Sequence, residues 1–211
     1  MDDAELLACG LEALGLALGK EEIGKLWGHV ELIQEWSRGM NLVRVRGRGE
    51  LVVRHVLDSL AGVKVLACLA EGSRLLDIGS GAGFPGIPLA VALPRIRVLL
   101  LERSRKRCAF LEHCRAVLAL GNVQVVEGDL DSFREQVDAS VFRAVSPLTR
   151  RFLVSSGLAH RSPLIVAYKG RRERLEEELA GVRPYFGGVK LLSVAVPFLE
   201  EERTLVILRS R

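Results

Sequence analysis

A glycine-rich turn that follows Asp77 constrains the fold of this chain more than any other segment. An apolar run ends at Asp77, and alternating glycines follow at Gly79, Gly81 and Gly83 before Pro85. Glycine allows a tight turn and a close approach of the backbone to a ligand, and proline is tolerated in the first turn of a helix. The segment therefore predicts a strand, a ligand-binding turn and a helix of a doubly wound α/β domain.

Two acidic residues indicate which ligand this turn binds. Gly81, Gly83 and Gly86 satisfy the G-x-G-x-x-G pattern, which alone is a weak indication of NAD. Asp77, however, lies two residues before Gly79, where a carboxylate repels a pyrophosphate but accepts hydrogen bonds from a cationic amino-acid group. Glu102 ends a second apolar run, at the distance where this fold places a carboxylate on a ribose diol. The pattern resembles the first motif of the S-adenosylmethionine-dependent methyltransferases.

Apolar runs and amphipathic segments alternate from residue 73 onward, which favours a mostly parallel sheet with helices on both faces. Strands are predicted near residues 74–78, 97–102, 123–127, 140–145, 163–168, 188–196 and 203–209. Helices are predicted near residues 85–92, 104–119, 130–136, 148–158 and 171–181. Because only residues 197–202 separate the last two strands, these strands must pair antiparallel. The expected fold class is α/β, with a Rossmann-like seven-stranded sheet that ends in an antiparallel hairpin.

The first 72 residues differ in pattern from the rest of the chain. Apolar residues at three- and four-residue spacing predict amphipathic helices over residues 3–18, 20–38 and 50–70. We therefore expect an N-terminal helical extension over residues 1–72, packed on a catalytic domain over residues 73–211.

Composition excludes several classes of protein. Hydrophobic residues make up 49% of the chain, which is typical of a globular protein. The start of the sequence is acidic rather than signal-like, and apolar runs are shorter than the roughly 18 residues of a membrane span, so we expect a cytoplasmic protein without membrane contact. The four histidines and four cysteines lack the spacing of a metal site, so no metal is expected.

Positive charge is concentrated in the second segment. Residues 73–211 contain 22 Lys and Arg against 15 Asp and Glu, whereas residues 1–72 contain 8 against 11. Arginine, which outnumbers lysine 24 to 6, favours bidentate contacts with phosphate. A polyanionic substrate and a merely solubilising surface both explain this charge. The same two explanations apply to the basic loop that contains Arg44, Arg46 and Arg48.

Several motifs occur together in the order of one known family. They are Trp36 to Leu42, Arg54 to Leu60, Leu76 to Leu89, Lys106-Arg107, Arg143-Ala144, Lys169-Gly170 and Arg203 to Ile207. The chain resembles the bacterial 16S ribosomal RNA guanine-N7 methyltransferases, the glucose-inhibited division protein B family. It departs from the family pattern at Ser37, Val43 and Glu102, where the family often has Asn, Thr and Asp.

The resemblance implies which residues bind S-adenosylmethionine. They are Gly79, Phe84, Leu130, Asp131 and Arg143. We expect Asp77 and the backbone from Gly79 through Gly81 to Gly83 to hold the methionine part. Glu102 would accept the ribose hydroxyls, and Asp131 or the backbone near Leu130 would meet the adenine amine. Phe84 and Leu130 would form apolar walls.

Methyl transfer to guanine N7 needs no general base, because N7 carries a lone pair and no proton. The candidate substrate-contact residues are Arg143 and Lys169, which end two strands at the edge where such sheets bind ligands. Arg143 would bind guanine O6, an RNA phosphate or the cofactor carboxylate; the competing interpretation is a structural ion pair. His55, Asp58 and Ser59 share a helix face, and would either close over the cofactor or fix the N-terminal helices.

The expected partner is 16S rRNA or the small ribosomal subunit, and the expected state is a monomer. Two other functions stay open on the sequence. One is an NAD-dependent oxidoreductase, against which the position of Asp77 and the closing hairpin argue. The other is a non-enzymatic RNA-binding assembly factor that keeps the fold as a scaffold.

Overall fold

The computed structural model describes residues 2–170 and 175–211, and these residues form one seven-stranded sheet. The strands are β1 (Arg74–Ile78), β2 (Arg97–Glu102), β3 (Val123–Glu127), β4 (Ala139–Arg143), β5 (Leu164–Lys169), β6 (Gly188–Val194) and β7 (Arg203–Arg209). Their order is β3-β2-β1-β4-β5-β7-β6. The first five are parallel, and β7 pairs antiparallel with both β5 and β6. The predicted sheet and its closing hairpin are confirmed.

Helices cover both faces of the sheet. The helices are α1 (Asp3–Leu14), α2 (Lys20–Trp36), α3 (Arg48–Leu51), α4 (Asp58–Leu60), α5 (Val63–Leu66), α6 (Gly86–Ala92), α7 (Arg105–Val117), α8 (Leu158–Arg161) and α9 (Leu175–Ala180). Two π-helical segments, Val52–Leu57 and Arg151–Ser155, precede α4 and α8, and a 3₁₀ turn spans Arg183–Tyr185. Among the described residues, no helix is both long enough and apolar enough to cross a membrane.

The central strands are apolar on both faces, as a covered parallel sheet requires. Leu75 packs in an apolar cluster on one face, and the next residue, Leu76, packs in a second cluster on the other. The first cluster also contains buried residues of α1 and α2, such as Leu7 and Leu26. The N-terminal helices therefore share one core with the sheet, and the domain boundary at residue 72 stays a prediction.

The predicted helix over residues 130–136 is wrong. Ser132 and Asp129 close a turn instead, with the Asp129 Oδ1 accepting from the Ser132 N–H at 2.8 Å and the Ser132 hydroxyl donating to the Asp129 carbonyl. Short polar side chains that bond nearby backbone groups compete with helix formation. Leu130 and Phe133 are buried from this irregular segment, which explains the misleading helical spacing.

Other predicted helices differ in their ends or continuity. The first ends at Leu14, where Gly15 adopts a left-handed conformation, and residues 50–70 form a π-helical segment with short α-helices around it. The predicted helix over 148–158 is a π-helical segment followed by α8, with the left-handed Gly157 between them. Of the helix predicted over 171–181, residues 171–174 lie outside the described part of the chain.

Candidate functional site

A cavity of about 560 Å³ opens at the carboxyl ends of β1, β2 and β4. Five of the predicted site residues line it, and they are Gly79, Glu102, Leu130, Asp131 and Arg143. They come from three strand ends and from the turn after β3, because parallel strands bring their carboxyl ends to one edge of the sheet. The predicted residues Asp77, Gly81, Gly83, Phe84 and Lys169 lie outside the lining of this cavity.

The glycine turn supplies a side-chain-free edge to this cavity. Gly79 has a φ of +69°, in the left-handed region that favours glycine. A Cβ at Gly79 would lie 2.9 Å from Val145 Cγ2, and Val145 itself lines the cavity. A side chain at position 79 would therefore press on Val145, and only glycine fits this part of the cavity wall.

Glu102 is the acidic group most firmly held in the cavity wall. Its side chain is 4% exposed, its Oε2 accepts from the Gly81 N–H at 2.9 Å, and its Oε1 accepts from the Ser104 N–H at 2.9 Å. Arg107 lies 4.0 Å from Oε2. A carboxylate has about four acceptor positions, so each oxygen can still accept one hydroxyl. The arrangement suits the two hydroxyls of a ribose.

Asp77 lies beneath the glycine turn rather than in the open cavity. It is fully buried, and its Oδ2 accepts from the Gly86 N–H at 3.0 Å. A Cβ at Gly86 would lie 2.6 Å from that oxygen, so glycine is required for this contact. Oδ1 makes no hydrogen bond to the described residues. Burial raises the pKa of Asp77 to about 7, with the Gly86 N–H opposing the shift.

Phe84 lies between two histidines instead of facing the cavity. Its ring centroid is 4.8 Å from that of His29 and 5.0 Å from that of His55. His29 Nε2 donates to the Ala82 carbonyl at 2.8 Å, which leaves a buried Nδ1 without a partner among the described residues. Burial lowers the pKa of His29 to about 4, so the ring is neutral. Helix α2 thereby braces the glycine turn through His29.

Arg143 joins β4 to the helical segment before the sheet. Its Nη1 donates to Asp58 Oδ2 at 2.9 Å and to the Arg54 carbonyl at 3.0 Å, and its Nη2 donates to His55 Nδ1 at 2.6 Å. Asp58 Oδ1 accepts from Arg203 Nε at 3.1 Å. Burial, followed by the charge of Arg143, lowers the pKa of His55 to about 3, so this ring is also neutral. Arg143 therefore forms a structural ion pair, as one of the two interpretations predicted, and it also lines the first cavity.

A second cavity, of about 500 Å³, adjoins the first and shares Arg143 and Ala144 with it. Lys169 lines the second cavity, and its Nζ donates to Glu178 Oε2 at 2.9 Å and to the Ser146 carbonyl at 3.1 Å. The structure therefore brings Arg143 and Lys169 to one cavity, next to the one that holds Glu102.

Sequence patterns gave no sign of several residues in the first cavity. They are Thr149, Arg151, Phe152 and Ser156, all from the segment between β4 and β5. The π-helical segment Arg151–Ser155 brings two of them to the wall, and π-helical turns have no distinct apolar spacing in a sequence. Arg103 and Arg107 also line the cavity, and both belong to the basic run that follows Glu102 in the sequence.

The sheet order, with its antiparallel β7 and its ligand cavity at the switch between β1 and β4, defines a Rossmann-like methyltransferase fold. Similar solved structures include magnesium protoporphyrin IX methyltransferase from Synechocystis PCC 6803 with bound S-adenosylmethionine, at a TM-score of 0.58 and 21% identity, covering 92% of this chain and 99% of that one. An S-adenosylmethionine-dependent methyltransferase from Aquifex aeolicus matches at a TM-score of 0.54 and 18% identity, covering 76% of this chain and 93% of that one. At these identities the likeness shows the fold.

The sequence identifies the family more narrowly. The family model for rRNA small subunit methyltransferase G matches residues 22–206. Relatives named ribosomal RNA small subunit methyltransferase G are 36% identical to this chain in Ralstonia nicotianae, over 98% of this chain and 95% of the relative, and 36% identical in Nitrosospira multiformis, over 99% and 98%. The chain belongs to the rRNA small subunit methyltransferase G family, which confirms the resemblance inferred from its motifs.

Proposed function

We propose that this chain transfers the methyl group of S-adenosylmethionine to N7 of a guanine in 16S rRNA. The main support is the family match, because the matched residues, 22–206, include every residue that lines the two adjoining cavities. The family match therefore covers both the expected cofactor site and the surface beside it. An NAD-dependent oxidoreductase has no comparable support.

The residues of the first cavity fit S-adenosylmethionine. Gly79 lines this cavity with backbone alone, and Glu102 presents two oriented oxygens for the ribose hydroxyls. Leu130 and Asp131 would meet the adenine, one through apolar contact and the other through its carboxylate. The free Oδ1 of Asp77 would attract the positive charge of the methionine part from beneath the turn.

The chain contributes alignment rather than acid–base chemistry. S-adenosylmethionine, when bound, supplies an electrophilic methyl group, and guanine N7 displaces the thioether with its lone pair without releasing a proton. His55 is not available as a base, because its Nδ1 accepts from Arg143. Arg143 lines both cavities, so we assign it the role of orienting the guanine against the methyl donor.

We also propose the partner, the oligomeric state and the location. The substrate is 16S rRNA, either free or in the small ribosomal subunit, and the enzyme acts as a monomer in the cytoplasm. The test is transfer of a labelled methyl group to unmethylated 16S rRNA and to small subunits, followed by mapping of the modified base. Methyl transfer to another position of guanine, or to another base, would contradict the N7 assignment.

Replacing Glu102 by Gln should weaken the binding of S-adenosylhomocysteine by about tenfold, because the neutral amide offers one acceptor oxygen instead of two charged ones. Isothermal titration calorimetry measures this change, and NAD serves as the negative ligand. Glu127→Gln is the matched control: Glu127 pairs with Glu102 in the β2–β3 register but lies exposed and outside the cavity. If the two variants bound S-adenosylhomocysteine equally well, Glu102 would not be part of the cofactor site.

A further inference from the structure

Cationic side chains outnumber acidic ones in the lining of the second cavity. Its lining includes Arg44, Arg54, Arg143, Lys169 and Arg203, and Asp58 is the single acidic residue among the described lining residues. Like charges that share a concave surface repel one another and raise the local concentration of anions. The lining therefore favours a bound anion.

Acidic side chains outside the lining hold several of these cations in place. Arg54 pairs with Glu50 at 2.9 Å and with Glu201 at 2.6 Å, and Lys169 pairs with Glu178. None of these glutamates lines the cavity. The cations are thus fixed at the wall of the cavity before any ligand binds, which reduces the entropy that binding would cost.

Arg44 differs from the other cations of the wall. It lies exposed in the loop before α3, and within the described ranges its side chain makes no ion pair or hydrogen bond. Its guanidinium keeps all five N–H donors for a ligand, in the planar arrangement that suits phosphate. Arg44 is therefore the cation best placed to respond to an incoming anion.

The boundary between the two cavities has an unusual backbone. Ala144, which lines both cavities, has a φ of +55°, in the left-handed region that non-glycine residues rarely adopt. The π-helical segment Val52–Leu57 brings Arg54 and His55 to the second cavity. Strained residues and π-helical turns are both concentrated at functional sites. Two independent backbone irregularities thus meet where the cavities adjoin.

The chemistry of the wall suits a phosphate better than a base. The rings in the lining are His55 and Tyr168, and Tyr168 is 4% exposed with its hydroxyl donating to the Ser59 carbonyl at 2.8 Å. Tyr168 therefore presents no open aromatic face on which single-stranded bases stack, and the His55 ring packs against Phe84 at a centroid distance of 5.0 Å. Cationic donors without a stacking surface are typical of contacts with the phosphodiester backbone.

We propose that the second cavity binds the RNA backbone at the target nucleotide, with Arg44 contacting a phosphodiester oxygen, while the base passes Ala144 into the first cavity. This inference rests on the proposed function and adds to it the group that the second cavity recognises. Arg143, at the boundary, would then contact the nucleotide between its phosphate and its base.

Arg44→Ala tests this proposal against Arg46→Ala. Arg46 lies exposed in the same loop, two residues away, and outside the cavity, so both variants lose one charge at nearly the same place. We expect kcat/KM for unmethylated 16S rRNA to fall about tenfold in Arg44→Ala and less than about twofold in Arg46→Ala. The slope of log KM against log salt should change by about 0.7–0.9 in Arg44→Ala alone, since one phosphate contact is lost. Binding of S-adenosylhomocysteine should stay unchanged in both variants.

The outcomes separate this proposal from the proposed function. Equal losses in the two variants would mean that the loop attracts RNA only by its overall charge, which would overturn the cavity assignment. An absence of methyl transfer by the wild-type enzyme would instead contradict the proposed function. In that case the two variants are compared for direct binding to 16S rRNA, where equal affinities would again overturn the assignment.

Discussion

Replacing Asp58 by Ala should destabilise the protein by about 3 kcal/mol, because it breaks a buried charge cluster. The Asp58 side chain is 4% exposed and receives hydrogen bonds from Arg143 and Arg203, which are 17% and 21% exposed. Without the carboxylate, these two guanidinium groups would face each other at the junction of α4, β4 and β7. The free energy of unfolding from urea denaturation measures the loss.

Glu112→Ala is the control for removing a carboxylate from an ion pair. Glu112 pairs with Arg115 on the surface of α7, with both side chains about 45% exposed. Such a pair contributes only about 0.3–0.5 kcal/mol. Asp58→Asn should lie between the two variants, since the amide oxygen can accept from one arginine only. If Asp58→Ala and Glu112→Ala lowered the free energy of unfolding by similar amounts, solvent would be screening the charges of Asp58, Arg143 and Arg203. The cluster would then not behave as a buried one.

Local sequence patterns predicted the sheet because a short segment of sequence determines each of its strands and turns. The β1 strand, the glycine turn and α6 follow one another within residues 74–92, and the short connection between β6 and β7, residues 195–202, requires an antiparallel return. The turn at Asp129 was missed, since Leu130 and Phe133 have helical spacing while the side chain of Ser132 determines the backbone. Burial of apolar residues from an irregular segment leaves the same pattern as a helix.

The candidate site was predictable only in part, for a related reason. Gly79 and Glu102 belong to motifs whose spacing alone places them at the cavity. The contacts of Asp58 with Arg143 and Arg203 join residues that are 85 and 145 positions apart, so no local spacing reveals them. The second cavity depends on these contacts, and its outline emerges only when the helical segment packs against β4 and β7.

Buried Asp77 should make the wild-type protein less stable, relative to Asp77→Asn, as pH rises. Burial raises the pKa of Asp77 to about 7 from its usual 3.8. Between pH 3.8 and about pH 7, Asp77 is ionised in the unfolded chain and protonated in the folded protein. The contribution of Asp77 to stability therefore falls as pH rises and is lost above about pH 7. The neutral Asn variant has no such dependence. The free energy of unfolding of Asp77→Asn, relative to that of wild type, should therefore increase by about 2.5 kcal/mol from pH 5 to pH 8.

Urea denaturation of both proteins at pH 5 and pH 8 measures this difference, and the neutral His29 and His55 affect both proteins alike. Asp129→Asn is the control, because the hydrogen bond from Ser132 lowers the pKa of Asp129, which stays ionised across this window in folded and unfolded states. If the difference in free energy of unfolding between wild type and Asp77→Asn were the same at both pH values, Asp77 would titrate as an exposed carboxyl does. A growing separation would show that the glycine turn keeps an acid whose ionisation opposes folding. A bound cation beside Oδ1 would offset that cost, so saturating S-adenosylmethionine should reduce the separation at pH 8.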